Sequence, residues 1–111
     1  MLTDVPEIST AVTEETFGPI LTVHRVPDLD EAVRRVNAGR YGLGAAVFSQ
    51  RRGAEIAARL RCGMVAVNSV ISYTAVPALP FGGVGDSGIG REGGTFSREF
   101  FTEPKAVVMQ V

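Results

Sequence analysis

The chain is short of several things that would each have fixed its class. It holds a single cysteine, Cys62, in 111 residues, so no disulfide can form within it, and a lone thiol agrees with a reducing compartment. Eleven basic residues stand against 12 acidic ones, and no basic cluster supplies the electrostatic footprint that nucleic acid requires. Apolar residues make up 45% of the chain but come in short runs, none approaching the roughly 18 of a membrane span. The opening residues, MLTDVPEIST, have neither the basic head nor the apolar core of a signal peptide. No C-x-x-C, H-E-x-x-H or carboxylate cluster marks a metal site. These absences lead to the expectation of a cytoplasmic chain of one domain's length, with no metal, nucleic acid or membrane among its partners.

What the chain has in excess is glycine. From Pro80 to Glu92 it reads PFGGVGDSGIGRE, with Gly82, Gly83, Gly85, Gly88 and Gly90 in 13 positions. No regular helix or strand tolerates that density. Glycine reaches positive φ and lacks a Cβ, so such a run serves sharp turns and close backbone approach, at an entropic cost on folding. Gly83-Val84-Gly85-Asp86-Ser87-Gly88 and Gly88-Ile89-Gly90-Arg91-Glu92-Gly93 both fit the G-x-G-x-x-G spacing of a dinucleotide cradle. That fingerprint counts only after a strand, at the opening of a helix, with an acidic residue about 20 positions on. Here the run follows a proline-containing loop, and tight backbone packing is the simpler reading.

In chain order, residues 1 to 13 carry little pattern and read as extended or loop, with Pro6 limiting any early helix. Glu14-Glu15-Thr16-Phe17-Gly18-Pro19 sets two carboxylates, an aromatic and a Gly-Pro break together, the composition of a contact loop. Ile20 to Val26 is rich in β-branched residues between Pro19 and Pro27, which predicts a strand. Asp28 predicts a helix start: it can cap free N–H groups while Glu31 reaches back, and Leu29, Ala32, Val33 and Val36 recur at helical spacing until Gly39. Gly44 to Phe48 predicts a strand covered on both faces. Ser49 is a plausible cap for a helix over Gln50 to Arg61, and Met64 to Val67 reads as a further strand ending at Asn68. Strand, helix, strand, helix, strand with short connections is the signature of an α/β fold, a parallel-sheet βαβαβ unit. Active groups on such sheets gather at carboxyl strand ends, where Asn68 and the loop after it fall. The connection over residues 69 to 80, with two prolines, is of the length that is more often functional than idle. A helix through Thr95 to Phe101 and a last strand over Lys105 to Val111 complete the reading.

In order and spacing these stretches resemble the C-terminal portion of the aldehyde dehydrogenase superfamily. Residues 14 to 19 look like its E-E-x-F-G-P signature, and Pro80 to Glu92 looks like its P-F-G-G-x-K-x-S-G-x-G-R-E signature. Tyr41-Gly42-Leu43-Gly44 and Val65-Ala66-Val67-Asn68 stand between them where the family has such elements. The resemblance covers essentially the whole chain. It implies part of a catalytic (substrate) domain with a cofactor-contact loop over residues 1–104, then an oligomerisation strand over 105–111. It also implies NAD or NADP as cofactor, a small aldehyde as substrate and a homo-oligomeric state.

Carried over residue by residue, the resemblance gives Glu15 the contact with hydroxyls of the nicotinamide ribose, a task suited to a carboxylate with several acceptor sites. It places Phe17 beside the nicotinamide ring and Phe81 at the aldehyde entrance. Tyr73 and Thr74 fall in the loop where the family varies its substrate pocket. One departure is visible: Gly85 stands where the signature has lysine, which leads to the expectation of a more mobile loop.

Family members oxidise an aldehyde through a cysteine thiolate, pass hydride to NAD or NADP, and hydrolyse the resulting thioester with a glutamate-activated water. By the resemblance, that cysteine, that base and the Rossmann unit lie upstream of the first signature. The chain is therefore expected to be a C-terminal fragment, inactive alone, with no catalytic residue of its own. Cys62 follows a helix end, where the dipole opposes a thiolate, and a packed apolar role suits it better. His24 has no partner motif for work as a base. The competing expectation is a stand-alone interaction or oligomerisation module, whose unpaired edges and apolar faces favour association.

Overall fold

Residues 1–70 and 72–110 are described by a computed structural model, in which the chain divides into two units, Met1–Arg40 and Tyr41–Val111. Ile71, in the connection over 69 to 80, and Val111, at the end of the expected last strand, lie outside the described residues.

The first unit holds strand β1 (Leu2–Thr3), a one-turn helix α1 (Thr10–Thr13), strand β2 (Thr22–Val23) and helix α2 (Leu29–Ala38). β1 and β2 pair in parallel, Leu2 opposite Thr22 and Thr3 opposite Val23. The strand expected over Ile20 to Val26 is thus only two residues long, because a strand lasts only as far as its partner does. β1 ends at once: Asp4 turns the chain with φ 55°, and Pro6 follows. Residues 1 to 13 are more ordered than their pattern suggested, since the Ser9 side chain caps α1 by accepting from the Ala11 N–H at 3.3 Å.

α2 begins where its local chemistry dictates. The Asp28 carboxylate accepts the Glu31 N–H at 2.8 Å, satisfying one of the orphan donors of the first turn. The reciprocal half of the capping box is not made. Glu31 turns along the helix instead, to Arg34 (2.7 Å) and Arg35 (2.6 Å), because two cations outbid one backbone N–H for a carboxylate. Arg35 also reaches Glu7 at 3.0 Å, tying the helix to the segment before α1. Val33 is the buried residue of the helix.

The second unit carries the βαβ half of the expected pattern: β3 (Gly44–Val47), α3 (Gly53–Arg59) and β4 (Met64–Val67), with helix α4 (Gly94–Phe100) later in the chain. β3 and β4 run parallel in the register Gly44–Met64 to Val47–Val67. The βαβαβ unit is therefore realised as two separate parallel pairs, in which β2 is partnered by β1. The core of this unit is Val47, Met64 and Ala66. β3 is not covered on both faces within this chain, since Gly44 and Ala46 are exposed while Val47 is buried. α3 starts three residues later than Ser49 suggested. The backbone of Ser49 is held at the strand end by Asn68, and its hydroxyl accepts the Arg52 N–H at 3.1 Å.

Lys105 to Gln110 form no strand. A strand needs a partner's N–H and C=O groups, and among the described residues none is presented to this segment. Also among the described residues, no helix is long and apolar enough to cross a membrane, and no group of three His, Cys, Asp or Glu side chains could hold a metal ion.

Candidate functional site

The two glutamates of the first signature are adjacent in sequence but differ in what they do. Glu14 lies 3.7 Å from the Arg40 guanidinium, whereas Glu15 has no ion pair or hydrogen bond among the described residues and is exposed. The turn that follows is closed by backbone bonds, Gly18 N–H to Thr16 C=O and Ile20 N–H to Gly18 C=O, both 2.8 Å. Phe17 sits at its tip with 95% of its surface in solvent. The first unit thus presents a carboxylate with unused acceptor capacity and a bare aromatic face two residues apart. An acceptor beside a flat apolar face can take a diol and a flat ring.

Among the described residues the glycine run forms no phosphate cradle. In the glycine run, Gly85–Ser87 is a single 3₁₀ turn, with no strand before it and no α-helix opened by it. Its bonds go inward. The Gly42 carbonyl accepts both the Gly63 and the Val84 N–H at 3.0 Å, and the Gly42 N–H donates to the Ser87 hydroxyl at 3.0 Å. A Cβ on Gly42 would lie 2.6 Å from Val84 Cγ2 and 2.8 Å from the Arg61 carbonyl oxygen, so this residue has to be glycine for the run to close over it. Gly42 was legible in the sequence only as part of a family element; its role as the anchor was not. Gly85 adopts φ 61°, a left-handed conformation in which a lysine would be strained. The loop that its substitution was expected to loosen is tied on either side of it, through Val84 and Ser87.

Phe81 and Glu92 close the run as an antiparallel bridge, Phe81 N–H to Glu92 C=O at 2.7 Å and Glu92 N–H to Phe81 C=O at 2.9 Å. Inside this ring Arg91 Nη1 donates to the carbonyls of Gly83 (2.7 Å) and Gly90 (2.6 Å). Arg91 is therefore a loop pin. Half-buried Phe81 borders an open cavity of about 200 Å³ shared with Leu43, Ile89 and Phe100. Tyr73 lies in a 3₁₀ turn, Ser72–Ala75, with its hydroxyl packed on Gly44 where a side chain would otherwise stand. Thr74 beside it is exposed. Glu15 and Phe17 thus belong to the first unit, and Tyr73, Thr74 and Phe81 to the second.

Two residues with latent reactivity are accounted for. Burial pushes the Cys62 thiol up from its ordinary pKa, the opposite of what a nucleophile needs. His24 lies on the wall of a cavity of about 560 Å³ in the first unit, with Val26, Ala32 and Val36. Its Nε2 is buried without a hydrogen-bond partner, so nothing orients it as half of a catalytic pair.

Comparison with known proteins agrees with both signatures. Residues 1–107 match the family described as "Aldehyde dehydrogenase family". A succinate-semialdehyde dehydrogenase [NADP(+)] from Deinococcus radiodurans is 49% identical over 109 residues, which is 96% of this chain and 22% of that protein. The 2-aminomuconic semialdehyde dehydrogenase of Mus musculus is 39% identical over 99% of this chain and 23% of that protein. Among solved structures, a Mycobacterium tuberculosis aldehyde dehydrogenase complexed with NAD+ superposes with a TM-score of 0.88 at 34% identity, covering 97% of this chain and 22% of that one. The chain belongs to the aldehyde dehydrogenase family. It spans about a fifth of the length of the relatives it matches.

Proposed function

We propose that the chain is the C-terminal part of an NAD(P)-dependent aldehyde dehydrogenase of the cytoplasm, supplying the nicotinamide-riboside contact and one wall of the aldehyde passage. Glu15 accepts from the ribose hydroxyls and Phe17 covers the ring. Phe81, with Tyr73 and Thr74, borders the route of a small aldehyde. When bound, the dinucleotide supplies the hydride acceptor; the chain's own residues hold and orient it and contribute no nucleophile and no base.

The observation that carries this reading is the division of labour in the first signature. Glu14 is engaged by Arg40 while Glu15, near a 95% exposed phenylalanine, has no partner among the described residues. An aromatic ring left in water gains nothing for folding, and a carboxylate beside it is what a diol-bearing flat ligand would meet. The test is incubation of the 111-residue chain with NAD, NADP and a panel of aldehydes. No NAD(P)H should form, and formation proportional to chain concentration refutes the reading.

A second reading, an interaction and oligomerisation module, is favoured by the tail. Val107, Val108 and Met109 are 72%, 94% and 83% exposed in a segment with no strand partner among the described residues, and unpaired apolar edges recruit strands from other chains. Residues 105–111 then act as the association strand of a homo-oligomer. Sedimentation should detect dimers or larger species, and a monomer at high concentration counts against it.

A further inference from the structure

We infer that Asn68 is a positioning residue, whose clamp on Ser49 at the end of β4 governs the seating of Tyr73 on Gly44. This rests on the reading of that segment as a wall of the aldehyde passage.

Asn68 and Asp4 are the two described non-glycine residues with positive φ, and Asn68 has φ 52°. Such outliers persist where surrounding structure over-determines them, and they point toward function when they sit at a loop that carries it. The Asn68 N–H adds one last ladder bond to Val47 C=O at 2.7 Å. The side chain then takes both backbone groups of Ser49: Oδ1 accepts its N–H at 2.8 Å and Nδ2 donates to its C=O at 3.0 Å. A carboxylate lacks the donor for this pair of bonds, so the primary amide alone, at this length, satisfies both. Ser49 relays the arrangement by accepting the Arg52 N–H, next to the start of α3.

Apart from glycine, asparagine and aspartate are the residues that visit this left-handed region routinely, because a short polar side chain can bond locally. The Ser72–Ala75 turn lies against β4 and carries the Tyr73 hydroxyl to Gly44, the amino end of β3, although Asn68 leaves from the carboxyl end of the sheet. The missing side chain of Gly44 is the seat of the Tyr73 hydroxyl, and the Asn68 clamp fixes the end of the strand that precedes the Tyr73 turn.

The test uses the 111-residue chain in solution by NMR. In the unaltered chain the Asn68 side-chain amide protons exchange slowly, the Tyr73 ring shows an NOE to Gly44 Hα, and ring current shifts that proton; absence of the NOE overturns the proposal. Asn68→Gly keeps the left-handed conformation and removes both side-chain bonds; it should abolish the NOE and the ring-current shift. Asn68→Asp keeps the acceptor and should retain a weakened NOE. Val47→Ala, which destabilises the same sheet without touching the clamp, should leave both signals in place in the folded state. Unchanged signals in folded Asn68→Gly, or equal loss in Val47→Ala, overturn the role. Should Asn68→Gly fail to fold, Asn68→Asp decides alone, and a full-strength NOE there overturns the proposal. No aldehyde or nucleotide enters the experiment, so its failure and failure of the passage reading are separate results.

Discussion

The backbone N–H of Gly42 donates to the hydroxyl of Ser87, 45 positions further along the chain, at 3.0 Å. Gly42 is buried, so Ser87→Ala leaves a buried donor without its partner, a loss of about 1–3 kcal/mol. Urea denaturation should show this as a lower midpoint with unchanged slope. Ser87→Thr, which keeps the hydroxyl, should recover part of the loss.

Arg91 holds the glycine run from within, with one nitrogen on the carbonyls of Gly83 and Gly90. Arg91→Ala removes both charge-assisted bonds and should release the Phe81–Glu92 bridge. The amides of Phe81 and Glu92 should then exchange faster, by about tenfold or more given roughly 1.5–3 kcal/mol for such bonds. Exchange of the β3 and β4 amides should change much less.

Glu31 is held at a pKa of about 2, below its ordinary 4.5, first by its hydrogen bond to Arg34 and then by that to Arg35. For an acid whose folded pKa is depressed, the stabilisation is full above the unfolded value and disappears as pH falls through the folded one. The contribution of Glu31 should therefore be complete above about 4.5 and gone near pH 2. Helicity of α2 followed by circular dichroism through that window should fall more steeply in the unaltered chain than in Glu31→Gln.

The parts of the fold that were legible in the sequence are those decided within one or two turns of chain. α2 announces itself because its cap, its apolar repeat and its terminating Gly39 all lie between Asp28 and Gly39, and the observed helix has those bounds. Glu31 shows the limit of the same local reasoning. Its N–H meets the Asp28 carboxylate, but its own carboxylate, expected to reach back, is taken by Arg34 and Arg35. What depends on distant partners could not be read this way. The last strand requires hydrogen-bonding groups that no described part of the chain presents to residues 105–110, and β2 is cut to two residues by the brevity of β1. At the candidate site, Glu14 and Glu15 are indistinguishable as a dipeptide; Arg40, 26 positions from Glu14 in sequence, separates them. The anchoring of the glycine run on Gly42 likewise spans 45 positions, too far for any pattern of local spacing to reveal.

The proposed role of Glu15 is contact with the nicotinamide ribose in a whole enzyme. Its most direct test is steady-state kinetics of the Deinococcus radiodurans relative with its matching segment replaced by residues 1–107 of this chain, with and without Glu15→Gln. Hydrogen bonds to a charged acceptor contribute about 1.5–3 kcal/mol, so Glu15→Gln should lower kcat/KM for the nucleotide roughly tenfold to a hundredfold, while Glu14→Gln should change it little. An active chimera whose kcat/KM for the nucleotide is the same with Glu15→Gln as without it would overturn that role.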